Sequence, residues 1–157
     1  MPTPGRSSHG WELYFGPLFS ERWAEIRTEA RHLKDTLPKR EYQSHPTAKL
    51  FAALVQIVHE TVPADPNHDD FQLGHTMGKE NISWRRVKKK GLPDRMRLFF
   101  KFAEKEKIII FSWLNDENTL RKAGSLTDVY QVFKKMLANG NPPSDFEELL
   151  KEADRGK

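Results

Sequence analysis

Arg86, Lys88 and Arg97 are the residues of this chain whose types and spacing best suit chemistry. Gly91-Leu92-Pro93-Asp94 has the composition of a turn. A hairpin closed there sets Lys90 opposite Arg95, Lys88 opposite Arg97 and Arg86 opposite Phe99. Side chains alternate across a strand. Arg86, Lys88, Arg97, Phe99 and Lys101 therefore share one face, while Val87, Met96, Leu98 and Phe100 share the other and form core. Like charges facing each other across a sheet are destabilising, and a sheet that carries them suits a polyanion. Arginine offers phosphate a planar fork and lysine a point charge. Phe99, and Trp113 on the neighbouring strand, can stack on an unpaired base, or pack in the core instead. The alternative for the whole face is a solvated cationic surface. Register decides between these readings, because a one-residue slip moves one strand's charges to the other side.

The charge distribution points the same way. Residues 79–107 hold 11 Lys or Arg against 4 acids, and the rest of the chain holds 15 against 18. A cationic segment on a mildly acidic body suggests an anionic partner, nucleic acid first. Other chemistries are poorly supplied. There is no cysteine, which excludes disulfides, thiolate metal sites and cysteine catalysis and fits a cytosolic protein. His45, His59, His68 and His75 lack the HExxH spacing or any comparable one. His59 reads as a surface or packing residue and His75 as structural. Asp69-Asp70 and Asp116-Glu117 suit caps and turns better than a shared ion. Without a glycine-rich phosphate loop, no cofactor is indicated.

Positioning these side chains takes one domain. The 157 residues are 37% hydrophobic and 31% charged, within reach of a globular composition. No apolar run approaches the roughly 20 residues of a membrane span, and residues 1–10 lack the apolar core of a signal peptide. Residues 1–16, broken by Pro2, Pro4, Gly5, Gly10 and Gly16, read as a loosely structured lead-in. Phe19, Trp23, Ile26, Ala30, Leu33 and Leu37 recur at helical spacing and predict a helix over 19–37, stopped by Pro38. A second helix is predicted over 46–61, capped by Ser44. The period then changes. Phe71, Leu73, His75 and Met77 alternate as in a strand. Further strands are predicted over 84–90 and 95–102. A nearly all-apolar one over 107–114 reads as central. Helices follow over 128–139, ended by Gly140, and over 145–151, opened by a Ser144/Glu147 capping box. The expected fold is α+β: two N-terminal helices on a twisted antiparallel sheet of about four strands, with short C-terminal helices.

Several blocks of the chain resemble a known family. Trp84-Arg85-Arg86-Val87-Lys88, Arg97-Leu98-Phe99-Phe100, Glu104-Lys105-Glu106-Lys107, Asn115-Asp116-Glu117-Asn118-Thr119-Leu120-Arg121 and Thr127-Asp128-Val129-Tyr130 are similar, in order, to the YhaV toxins of PrlF–YhaV toxin–antitoxin systems, in the RelE/ParE superfamily. The resemblance runs from Gly10 to Pro143 and implies a RelE-like fold and a metal-independent endoribonuclease that arrests growth by cutting mRNA, with the ribosome a further expected partner. Its implied catalytic set is Arg86, Lys88, Arg97 and Arg121. Arg97 would stabilise transition-state charge, Lys88 act as general base, Arg86 hold the phosphate and Arg121 serve the leaving side. The expected RNA-binding set is Trp84, Arg85, Arg95, Phe99 and Lys101. Family members of the RelE type carry a functional tyrosine soon after the last arginine, whereas Lys122-Ala123-Gly124 stand here. Tyr130 is the nearest candidate, with a plain helix residue as the alternative.

The resemblance also implies a bacterial cytoplasmic setting and a PrlF-like antitoxin, a swapped-hairpin DNA-binding dimer through which the complex represses its own operator. The helix over 145–151, with Phe146 and Leu149, offers that antitoxin a docking face, or else packs in the core. A toxin of the same fold that inhibits DNA gyrase or another target by binding is the alternative to the nuclease.

Overall fold

The computed structural model describes residues 7–74, 76–116 and 128–153. Strands β1 (Ser7–Ser8), β2 (Trp11–Phe15), β3 (Arg85–Val87), β4 (Leu98–Ala103) and β5 (Ile108–Leu114) form one sheet in the order β1-β2-β5-β4-β3. β2 runs parallel to β5 and the other neighbours are antiparallel. The fold is α+β as expected, but the sheet is five-stranded and mixed. The difference in strand count comes from the N-terminus, which adds β1 and β2, while the strand expected from alternation after Phe71 does not form. The expected lead-in contains β2, where Trp11, Leu13 and Phe15 are buried and Glu12 and Tyr14 less so. Gly10 (φ 85°) and Gly16 bracket this strand instead of dissolving it.

α1 (Pro17–Thr36) buries Phe19, Trp23, Ile26 and Ala30, the predicted stripe. A short helix not foreseen in the sequence, α2 (Lys39–Ser44), precedes α3 (Pro46–Gln56). The α3 cap is His45, whose Nδ1 accepts the Thr47 N–H at 3.1 Å. Ser44 instead donates its hydroxyl back into α2. α3 continues through a widened π turn (Ile57–Thr61) into α4 (Val62–Ala64). Pro63 has no N–H for the carbonyl four residues earlier. That carbonyl, of His59, accepts from the Ser8 hydroxyl. α5 (Val129–Ala138) starts on an Asp128 cap and stops before Gly140 (φ 79°). α6 (Phe146–Glu152) is capped by Asp145, one residue later than the predicted box.

Two cores sandwich the sheet. One joins β2, β4 and β5 to α1 and α3 through Leu13, Phe15, Phe19, Trp23, Leu54, Val87, Leu98, Phe100 and Phe111. The other joins the opposite face to α5 and α6 through Trp84, Phe99, Ile110, Phe133, Leu137 and Leu149. A bulge sets these faces. β4 and β5 pair Phe99 with Trp113 but Phe100 with Phe111, so Ser112 is the extra residue. It shifts the alternation and turns Trp113 to the side of Phe99. Residues 71–77 are not a strand: Phe71 ends a 3₁₀ turn, Gln72 makes one bridge to Arg85, and tight turns follow. Phe71 enters the first core and Leu73 and Met77 the second. His75 lies outside the described residues.

Candidate active site

The register of β3 on β4 is the predicted one, with Arg86 opposite Phe99, but the ladder ends at Val87 and Leu98. Beyond it Lys89 (φ 63°), Lys90 (φ 57°) and Gly91 (φ 96°) all turn left-handed. That conformation is uncommon outside glycine and costs of order 1–3 kcal/mol per strained residue. α3 presses on this turn, since a Cβ at Gly91 would stand 3.0 Å from that of Ala53. The expected cross-strand pairs Lys88–Arg97 and Lys90–Arg95 therefore do not form as sheet rungs.

Arg86 and Arg97 still meet, through a third residue. Arg86 Nε and Arg97 Nε each donate to the Tyr130 hydroxyl oxygen at 3.0 Å. Tyr130 lies in the first turn of α5, where its N–H is held by the Asp128 carboxylate at 3.0 Å. Arg86 Nη1 donates to the carbonyls of Asp70 (2.9 Å) and Gln72 (3.1 Å). Arg97 Nη1 donates to those of Asp94 (3.0 Å) and Met96 (2.9 Å). The Nη2 group of each donates to nothing among the described residues. Arg86 is buried to 9% exposure, so its orientation is fixed by these bonds. Two guanidinium groups thus flank one phenol whose oxygen accepts from both, which leaves its own O–H to donate outward.

Beside this cluster Asp69, Asp70, Gln72, Arg86, Lys88, Lys89 and Lys90 line an open cleft of about 460 Å³. Lys88 is exposed there. In the cleft the Asp70 carboxylate pairs with the Lys90 ammonium at 3.1 Å. The hydrogen bond from Lys90 holds that carboxyl below its usual range. Among the described residues no three His, Asp or Glu side chains converge as a metal-ligand set.

Several expected RNA contacts are buried instead. Phe99 is fully buried, stacked on Phe133 (4.1 Å between centroids) and on Trp113 (5.7 Å). Trp84 is also fully buried and donates its indole N–H to the Ser144 hydroxyl at 3.3 Å. Lys101 places Nζ 4.9 Å over the Trp84 ring and donates to the Ser144 carbonyl. Burial lowers its pKa, and Asp145 opposes the shift. Arg85 alternates to the other side, where it binds the Ile82 carbonyl (2.9 Å) and Asn67 (3.1 Å) and lies over Phe102. Burial lowers its pKa too. Phe99, Trp84 and Lys101 are packing and fastening residues because α5 and α6 cover the part of the face expected to be open, and Arg85 is fastened on the opposite face. The apolar side of α6 belongs to that cover: Leu149 is fully buried and Phe146 packs on the same core. Arg95 is exposed at the edge of the site, and Arg121 lies outside the described residues.

Sequence alone leaves Tyr130 open between proton donor and helix residue; the two arginines give it a place. Asn115 enters the sequence reading only as the start of a family-like block, with no role of its own. It ends an apolar strand and nothing in its spacing marks it, yet it is fully buried against the backbone of Arg95 and Arg97.

Residues 13–154 match the YhaV toxin family, described as a toxin with endonuclease activity, of a toxin–antitoxin system. The chain is 42% identical over 155 residues to a protein of Escherichia coli K12 named ribonuclease toxin YhaV, covering 98% of both chains. It is equally similar to proteins named toxin YhaV from Escherichia coli O157:H7 and O6:H1, again at 42% identity and 98% coverage of each chain. No solved structure matches the chain significantly.

Proposed function

The chain belongs to the YhaV family, toxins with endonuclease activity that work within a toxin–antitoxin system, and we propose that its substrate is RNA, cut at the cluster of Arg86, Arg97 and Tyr130. The observation that carries this reading is the double hydrogen bond to the Tyr130 oxygen from two arginines beside a lysine-lined cleft. RNA can cleave itself when a ribose 2′-hydroxyl attacks the adjacent phosphorus. The P–O5′ bond breaks, leaving a 2′,3′-cyclic phosphate and a 5′-hydroxyl. The reaction needs a base for the 2′ proton, an acid for the 5′ oxygen and cations around a phosphorane that gains negative charge. Arg97, whose Nη2 donates to nothing among the described residues, supplies charge stabilisation, often the largest catalytic term. Tyr130 supplies the proton to the 5′ oxygen, because its oxygen accepts from the two arginines and no acceptor among the described residues takes its hydrogen. Lys88 takes the 2′ proton. Arg86 holds Tyr130 and offers Nη2 to the phosphate, and Arg121 remains a further cation on the leaving side. Lys89 and Lys90 bind flanking phosphates.

The family description of endonuclease activity disfavours the purely binding inhibitor of gyrase. The antitoxin that the family requires is, in this reading, a PrlF-like swapped-hairpin dimer that carries the operator DNA contact. The ribosome is the natural place to present mRNA. No described helix is long and apolar enough to cross a membrane, and a cytoplasmic site of action follows from an mRNA substrate.

The test is primer-extension mapping of a defined mRNA with purified protein, with and without ribosomes. Wild type should give discrete cuts, and folded Arg97→Ala and Tyr130→Phe should lose them. Cuts only with ribosomes would locate the source of substrate positioning. No cuts by wild type under either condition would overturn the RNA substrate, and wild-type cutting by both variants would overturn the site.

A further inference from the structure

We propose that Asn115 is the positioning residue for Arg97, clamping the chain on which that arginine is carried; this rests on the ribonuclease reading above. Asn115 is fully buried at the end of β5. Its Oδ1 accepts the Arg97 N–H at 2.7 Å, and its Nδ2 donates to the Arg95 carbonyl at 3.0 Å. The Asn115 N–H reaches the Arg97 carbonyl at 3.4 Å. The last true rung of the β4–β5 ladder is Leu98 opposite Leu114. One residue further, the side-chain amide takes over the job of a neighbouring strand, serving one backbone donor and one backbone acceptor two residues apart.

The clamp has a chemical purpose at that spot. Residues 95–97 lie before β4 and have no β3 partner, since β3 stops at Val87. Without the Asn115 side chain the Arg97 backbone would keep only the long bond from the Asn115 N–H to its carbonyl and the contacts of its own turn. Arg97 Nε must sit 3.0 Å from the Tyr130 oxygen, and its Nη1 already binds the carbonyls of Asp94 and Met96 within the same turn. A shift of the turn therefore carries the whole guanidinium with it. Only an amide serves both backbone groups: Asp lacks the donor, Leu lacks both, and Gln reaches one methylene too far.

Arg86 makes this testable, because it donates to the same Tyr130 oxygen from a strand that Asn115 does not touch. In wild-type protein, the side-chain Nε–H signals of Arg86 and Arg97 in a nitrogen–proton NMR spectrum should both be visible and slow to exchange. In Asn115→Ala the Arg97 signal should shift and exchange at least tenfold faster while the Arg86 signal keeps its position. RNA cleavage should fall about 100-fold in kcat, the cost of a misplacement on the order of 1 Å, with KM within threefold of wild type. Asn115→Leu, which fills similar space but offers neither the acceptor nor the donor, is read in the same way should the alanine variant not fold. An unmoved Arg97 signal, equal loosening of both arginines, or wild-type kcat would each overturn the proposal. Loss of cleavage by wild type itself would instead strike the RNA reading and leave the NMR arm to judge the clamp.

Discussion

Replacing Tyr130 by Phe removes a single oxygen and should cost both stability and catalysis. That oxygen accepts from two guanidinium groups at 3.0 Å each. Hydrogen bonds to charged groups contribute about 1.5–3 kcal/mol. Arg86 is buried and its Nε would be left without an acceptor, so its share falls near the upper part of that range. Arg97 is only half-buried, and water replaces much of what it loses. The sum is a destabilisation of about 2–4 kcal/mol. The ring itself is preserved, with its edge contact to Phe99 at 6.0 Å and its place beneath Arg97 at 5.9 Å, so packing loss does not confuse the measurement. Urea unfolding of wild type, Tyr130→Phe, Arg86→Ala and the double variant gives the coupling directly. Cleavage by the folded variant should fall by about 10²–10⁴, the range for a lost general acid. A variant with wild-type stability and no coupling to Arg86 would refute the hydrogen-bond argument. One that loses stability but cleaves at the wild-type rate would refute the acid role.

Phe99→Leu should unfold at lower denaturant, with a loss of at least about 1 kcal/mol from a tightly packed core, yet bind single-stranded RNA within threefold of wild type in a fluorescence-anisotropy titration. Lys89→Ala should flatten the salt dependence of RNA binding by about 0.7 in log–log slope, whereas Arg85→Ala should leave the slope unchanged and lower stability, since its guanidinium is fastened to Asn67 and Ile82. Burial lowers the Lys101 pKa in the folded state, so between that lowered value and about 10.4 the unfolded chain binds more protons. Stability of wild type relative to Lys101→Met should therefore rise with pH through that alkaline window in urea titrations, and a flat difference would refute the burial effect.

What was legible in the sequence is what depends on near neighbours. The α1 stripe, the central place of β5 and the pairing of Arg86 with Phe99 follow from periodicity and one turn. β2 was hidden because its stability comes from a parallel partner about 95 residues away, while Gly10 and Gly16 beside it look like breakers. Residues 71–77 show the converse error. Phe71, Leu73 and Met77 alternate in sequence, but they are buried in two different cores by turns. The site itself was half legible. Arg86, Lys88 and Arg97 stand out by charge, and the structure brings the two arginines onto one hydroxyl with Lys88 in the cleft beside them. The burial of Trp84, Phe99 and Lys101 was not legible, because nothing local says that α5 and α6 return over that face. The position of Ser112 as a bulge, which turns Trp113 towards Phe99, has no signature in an apolar run either.

This division explains how the candidate site is assembled. Arg86 lies within β3 and Arg97 just before β4, strands whose residues Val87, Leu98 and Phe100 belong to the first core. Tyr130 comes from α5, whose Val129, Phe133 and Leu137 belong to the second. Three side chains that must lie within hydrogen-bond distance are thus supplied by two packing layers on opposite faces of one sheet. Neither layer alone brings them together. The residues first expected to touch RNA are those that join the layers: Phe99 lies under Phe133, and Trp84 and Lys101 both fasten to Ser144. Their proximity to the cationic cluster in sequence is therefore physical in origin, since the β3–β4 hairpin that carries Arg86 and Arg97 must also hold the helix that carries Tyr130. A substitution at Phe99 or Trp84 acts on cleavage by loosening α5, and so mimics the loss of a substrate contact without being one.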